Sequence, residues 1–171
     1  VGIENIQNHI YFDTKGLPQQ HSGSVQVFSA RLQQNFRVGA LHWDNSLTYQ
    51  TSTDENIITL PKFVVYTNLY ATVRIATLRL QLGIDCNYYT SYYAPAYQPA
   101  TATFHQQRDL KLGDYPFMNV YANMKLSKAR FYVMMSHVNQ GWFGGNKYFS
   151  ALHYPLNPRR LQIGVSVDFA N

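Results

Sequence analysis

Between Leu161 and Phe169 every second residue is apolar: Leu161, Ile163, Val165, Val167 and Phe169 alternate with Gln162, Gly164, Ser166 and Asp168. Successive side chains of a β-strand point to opposite faces, so this pattern predicts a strand with one apolar and one polar wall. Segment 78–88 repeats it, with Leu78, Leu80, Leu82, Ile84, Cys86 and Tyr88 against Arg79, Gln81, Gly83, Asp85 and Asn87. Segment 63–75 does the same, with Phe63, Val65, Leu69, Ala71, Val73 and Ile75 against Tyr66, Asn68, Tyr70, Thr72 and Arg74. Fainter alternation runs through 41–49, 118–126 and 129–135. Segment 23–38 alternates but slips phase between Val27 and Phe28, which predicts a bulge or a strand end. Helical periodicity is hard to find. The chain therefore reads as all-β, with about eight strands near 3–12, 24–37, 40–52, 62–75, 78–91, 116–126, 129–140 and 160–169.

Composition narrows the all-β choices. Charged residues make up only 13% of the chain and aromatics 15%, with 14 tyrosines, whereas a water-soluble domain carries roughly 25% charged residues. No stretch approaches the ~18 uninterrupted apolar residues of a membrane helix, which excludes a transmembrane helix bundle. A membrane barrel needs only about 9–11 residues per strand, apolar at alternate positions. The net charge is +5, from 14 Lys and Arg against 9 Asp and Glu, but no basic run accompanies it, so no nucleic-acid partner is expected. Cys86 is the single cysteine; it rules out an internal disulfide and reads as a small hydrophobe in its strand. Opening on Val1 with no leader-like segment fits a mature form or a fragment.

The connections carry a second pattern. Those near 38–40, 76–77 and 127–128 are very short, while 13–23, 53–61, 92–115 and 141–159 are long, and the two kinds alternate. In an up-and-down meander every tight turn then falls at one end and every long loop at the other, as in bacterial outer-membrane barrels with short periplasmic turns and long extracellular loops. A soluble lipocalin-like barrel binding an apolar ligand also alternates its faces and stays an alternative; the loop asymmetry favours the membrane version. Aromatic positions agree. On the apolar face Phe36, Trp43, Phe131 and Phe169 lie near the short-turn end, and Phe28, Tyr49, Phe63 and Tyr88 toward the long-loop end. Rings settling at the two lipid–water interfaces form such girdles. Tyr88, Tyr89, Tyr92, Tyr93 and Tyr97 read as part of the outer girdle. The loop 92–115 either folds inward as a constriction or faces partners outside.

Residues for chemistry are sparse. The six histidines occupy different segments with no metal-ligand spacing, and no nucleophile motif frames a Ser/His/Asp set. The Gly-Gly of Trp142-Phe143-Gly144-Gly145-Asn146 is loop punctuation. No catalytic residue, metal or cofactor is expected, and the chain does not read as an enzyme. The charged set says more. Arg37, Arg74, Arg79, Lys125 and Arg130 lie on the polar wall close to short turns, with Arg31 farther in. If that wall lines a lumen, they ring its periplasmic end and bias it toward anions. Asp44, Asp85 and Asp168 share the wall, and salt bridges across the lumen are an equal alternative.

Several segments then resemble a known family. Asn8-His9-Ile10-Tyr11-Phe12, Gln33-Gln34-Asn35-Phe36-Arg37, Leu41-His42-Trp43-Asp44-Asn45 and Tyr92-Tyr93-Ala94-Pro95 resemble the putative porin family of Bacteroidetes. So do Tyr115-Pro116-Phe117-Met118-Asn119, His137-Val138-Asn139-Gln140-Gly141 and His153-Tyr154-Pro155-Leu156. The resemblance runs in order over the whole chain and corresponds to the carboxy-terminal part of longer proteins. It implies a barrel of the bacterial outer membrane that passes small hydrophilic solutes by diffusion, with membrane lipid as its surroundings. Eight strands close around an interior just wide enough for side chains, so residues 1–171 are expected to be one barrel domain or, with remaining strands, a section of a larger barrel wall. A non-conducting structural or accessory subunit beside other envelope proteins is the alternative role. Phe169 is followed by Ala170 and Asn171, which displaces the terminal aromatic of barrel assembly slightly inward.

Overall fold

The computed structural model describes residues 1–142 and 148–169. Its strands are β1 (Gly2–Gln7), β2 (Ile10–Phe12), β3 (Pro18–Gln20), β4 (Ser24–Val38), β5 (Leu41–Ser52), β6 (Phe63–Ile75) and β7 (Leu78–Tyr89). They continue with β8 (Ala96–Gln98), β9 (Thr103–His105), β10 (Phe117–Leu126), β11 (Ala129–Ser136), β12 (Phe149–Ala151), β13 (Tyr154–Pro155) and β14 (Arg160–Val167). Among the described residues there is no helix. Eight strands form one antiparallel sheet in the order β1-β4-β5-β6-β7-β10-β11-β14. The other six make three small hairpins, β2-β3, β8-β9 and β12-β13. Each hairpin lies within a long connection. The large sheet is thus an up-and-down meander, and it is open: β1 and β14 do not pair with each other.

Local chemistry sets the element ends. The connections 39–40, 76–77 and 127–128 join strands paired to their last residues, Val38 with Leu41, Ile75 with Leu78 and Leu126 with Ala129. Each begins at positive φ, at Gly39 (59°), Ala76 (53°) and Ser127 (53°), the backbone sign that tight hairpins matching strand twist require. Two strands stop earlier than alternation suggests. The pattern at 3–12 divides at Asn8, φ 51°, into β1 of the large sheet and β2 of a hairpin. The pattern at 129–140 ends at Ser136 because His137 stands at φ 55°. The expected bulge at Val27–Phe28 does not occur. β4 keeps an unbroken register against both β1 and β5 across that point. The slip in pattern arises because Val25 belongs to the polar wall yet is completely buried.

Among the described residues no apolar layer is sandwiched, and the buried apolar side chains are few: Val25, Ala94, Ala96, Leu112 and Tyr148, all at the long-loop end or within the long connections. The apolar face of the sheet lies open instead. Leu161, Ile163 and Val165 are 58%, 68% and 61% exposed, and Leu32, Phe36, Trp43, Leu69, Val73 and Leu82 are exposed too. A soluble monomer rarely shows a contiguous apolar surface beyond a few hundred Å².

Midway along the strands that face carries a polar row. Gln34, Asn45, Thr67 and Cys86 stand opposite one another on successive strands. The Trp43 indole N–H donates to Thr67 Oγ1 (2.8 Å), whose hydroxyl donates to Asn45 Oδ1 (2.7 Å). Trp43, Thr67 and Asn45 thus satisfy one another within the face. Cys86 is a free thiol there, half-buried.

Candidate functional site

The register arranges the polar wall in cross-strand rows, because residues directly opposite in an antiparallel pair share a face. Nearest the long-loop end among the central rows stand Asn35, Asp44, Asn68, Asp85 and Asn119. Next come Arg37, His42, Tyr70, Gly83, Tyr121, Met134 and Gln162. Then come Thr72, Gln81, Asn123, Tyr132 and Gly164. Last, beside the short turns, come Arg74, Arg79, Lys125, Arg130 and Ser166. Alternation along each strand and register between strands thus put Arg31, Arg37, Arg74, Arg79, Lys125 and Arg130 on one face.

Hydrogen bonds tie the rows together. Asn119 Nδ2 donates to Asp85 Oδ1 (2.8 Å), Tyr121 Oη to Asn68 Oδ1 (2.9 Å) and Asn123 Nδ2 to Gln81 Oε1 (3.2 Å). His42 and Tyr70 stack with centroids 4.7 Å apart and planes 3° from parallel. Two tyrosine rings lie flat over glycines, Tyr121 over Gly83 and Tyr132 over Gly164, where an added Cβ would overlap the ring. A side chain at either position would push the tyrosine ring off the backbone it covers.

Few of the basic residues on this wall meet an acid among the described residues. Among the described residues Arg130 reaches Asp168 at 3.3 Å, and the other ion pair, Lys62 with Glu55, lies elsewhere. Arg31 donates to Ser46 Oγ (2.9 Å) and Arg74 to the Ala76 carbonyl (3.3 Å). Within this sheet, among the described residues, Arg130 with Asp168 is the one ion pair on the polar wall.

On the apolar face, register places Phe28, Phe36, Trp43, Tyr49, Phe63, Tyr88 and Phe131, with Phe169 continuing the phase of β14. Phe28, Tyr49 and Phe63 form a chain of rings over β4, β5 and β6 (centroids 6.3 and 5.2 Å), and Phe36 meets Trp43 at 5.6 Å. The wider tyrosine cluster does not stay on that face. Tyr89 points to the polar side and meets Tyr92 edge-on at 6.0 Å. Tyr93 lies under the Arg108 and Lys111 cations at 5.2 and 5.3 Å. Tyr97 packs on Phe104 and Tyr154.

The long connections are built rather than loose. The 90–116 connection meets all three others: Gln106 N donates to Phe12 O (2.9 Å), Gln106 Nε2 to Ile57 O (3.0 Å), Arg108 to Asn56 O (2.9 Å), and Tyr97 touches Tyr154. Gln107, buried, holds it from within by donating to the Ala94 and Leu110 carbonyls and accepting from the Asp109 and Leu110 amides. At its base Asp114 accepts from the Ser91 amide (3.0 Å) and the Tyr88 hydroxyl (3.1 Å). The Ser91 side-chain hydroxyl foremost, then the Tyr88 hydroxyl and the Ser91 amide, hold the Asp114 carboxyl below the usual carboxylate range.

Two tripeptide-scale motifs met in the sequence come together here. His137 and Asn139 are fully buried. His137 Nδ1 lies 2.7 Å from the Asn157 carbonyl, and only its N–H can make that bond. Nε2 lies 2.7 Å from the Tyr115 hydroxyl oxygen, and that hydroxyl also donates to the Asn139 carbonyl (3.3 Å). Asn139 bridges the Met118 amide and the Pro116 carbonyl. The Tyr115-Pro116-Phe117 and His137-Val138-Asn139 segments are thus one polar lock between β10 and β11. Strand alternation gave no sign of it; the paired occurrence of buried-type polar residues at two strand ends is the one sequence signal. The Gly144-Gly145 punctuation lies outside the described residues, as do Ala170 and Asn171.

Among the described residues no three His, Cys, Asp or Glu side chains gather as a metal site would need. No curated protein and no solved structure compared with this chain matches it. A family model does, over every residue: with residues 1–171 matched, the chain belongs to the family described as "Putative porin".

Proposed function

We propose that this sheet is part of an outer-membrane barrel wall whose polar face lines a water path for small hydrophilic solutes. The observation that carries the proposal is the exposed apolar face backed by a wall of Asn, Asp, Tyr, Arg and Lys, with no apolar layer between sheets among the described residues. Lipid is the solvent such a face suits, and a soluble barrel of the same strands would turn it inward. In hydrocarbon each unpaired backbone N–H or C=O costs several kcal/mol. We therefore infer further strands against both β1 and β14, making these eight strands a section of a larger barrel. Family membership supports a transport or structural role rather than a catalytic one.

The excess of basic over acidic groups beside the short turns supports an anion bias. The test is conductance of the purified protein in planar bilayers. Discrete steps with a reversal potential favouring anions are expected, shifting toward neutrality in Arg74→Gln/Arg79→Gln. A silent protein would favour the accessory-subunit role instead, and a cation-selective one would overturn the bias.

A further inference from the structure

Arg74 stands directly opposite Arg79, Arg79 opposite Lys125, and Lys125 opposite Arg130. Opposed side chains on one face start about 4.5–5.5 Å apart at Cβ, and like charges in that position destabilise a sheet. Four cations therefore run in line over three strand gaps, roughly 15 Å at the usual strand spacing. Among the described residues Asp168 is the one carboxylate within ion-pair reach, at Arg130, and both partners are more than half exposed (58% and 55%), so it offsets little. Arg79 and Lys125, at the centre, have no carboxylate partner among the described residues.

These central cations line a groove of about 320 Å³ with the polar Arg130, Gln81, Asn123 and Ser166, and Met124, Phe131 and Tyr132 complete its walls. Asn123 donates to the Gln81 carbonyl, which leaves the Gln81 amide N–H groups as donors. Guanidinium forks match the oxygens of phosphate in pairs, and lysine adds a point charge. Amides and a hydroxyl complete a donor set suited to oxygen-rich anions rather than to halide.

We propose that this groove is a discrete binding site for a small phosphate-bearing solute, held by Arg79, Lys125 and Arg130. It deepens the anion bias proposed above and rests on the polar wall being open to water. A multivalent oxyanion would relieve repulsion that four aligned cations otherwise leave standing, whereas a merely diffuse field needs no such alignment.

The test does not depend on conduction. Inorganic phosphate is titrated calorimetrically into the detergent-solubilised full-length protein at fixed ionic strength. One saturable site is expected, weakened about tenfold or more in Lys125→Gln and Arg79→Gln, and unchanged in Arg31→Gln, which lies on the same face away from the row. The two Gln variants remove a repelled cation, so the fold is not put at risk, and Lys125→Arg is expected to retain binding. Absence of saturable uptake, equal weakening by Arg31→Gln, or displacement by equimolar chloride would each overturn the site. Retained binding in a protein that shows no channel steps would overturn the conduction proposal and leave the site standing.

Discussion

Thr67 holds the polar row of the apolar face together, since its hydroxyl serves Trp43 as acceptor and Asn45 as donor. Thr67→Val keeps the shape but strands an indole N–H and an amide oxygen where the proposed surroundings offer no water. A loss of about 1–3 kcal/mol is expected, seen as a lower urea midpoint of the lipid-refolded protein, while Thr67→Ser stays close to wild type. Glycine plays the opposite role on the polar wall. Gly164→Ala pushes the Tyr132 ring off the backbone it covers, and because that half-exposed ring can swing toward the open side the expected cost is at most about 1 kcal/mol. If crowding is the cause, the same change is nearly neutral in a Tyr132→Ala background, a coupling that a double-mutant cycle measures directly.

At the scale of elements, the connection between β7 and β10 is pinned at its base by Asp114. Its carboxyl is held below its ordinary value by the Ser91 and Tyr88 hydrogen bonds, so the ionised form is the bonded one. The stabilisation is complete above the unfolded carboxylate pKa of about 3.9. It fades as pH falls through the lower folded value. Protection of the Ser91 amide from hydrogen exchange, corrected for intrinsic rate, is expected to fall in that acid window, and Asp114→Asn is expected to remove the pH dependence. This tie was invisible in the sequence, as was the Tyr115–His137–Asn139 lock, because both join residues far apart in the chain by single polar contacts. The long strands were legible because Leu161 to Val167 or Leu78 to Tyr88 each state their two faces within a few residues. Their ends were less so: Asn8 and His137 stop β1 and β11 through a backbone sign that no hydrophobic pattern encodes. Phase misled at Val27 and Phe28, where burial of Val25 on the polar wall broke the rule linking face to polarity.

At the scale of the whole molecule the decisive features are the two free edges and the two unlike faces. Faces are tested by a spin label placed in turn at Gln162, Ile163, Gly164 and Val165 of β14 in bilayers. Collisions with oxygen are expected to peak at Ile163 and Val165 and those with a water-soluble nickel chelate at Gln162 and Gly164; the same phase for both reagents would remove the lipid assignment. The edges ask a separate question, because β6 and β7 are paired on both sides whereas β1 and β14 each have one partner within the sheet. If further strands complete the wall in the membrane, the amides of β1 and β14 exchange as slowly as those of β6 and β7. If the sheet stays open, alternate amides of the edge strands find no carbonyl, and they exchange orders of magnitude faster than their paired neighbours. Mass-resolved hydrogen exchange in native outer-membrane vesicles separates the two outcomes. Uniform protection is expected, since an open edge in hydrocarbon forfeits several kcal/mol at every unpaired group and no side chain of β1 or β14 can make that good along a whole strand.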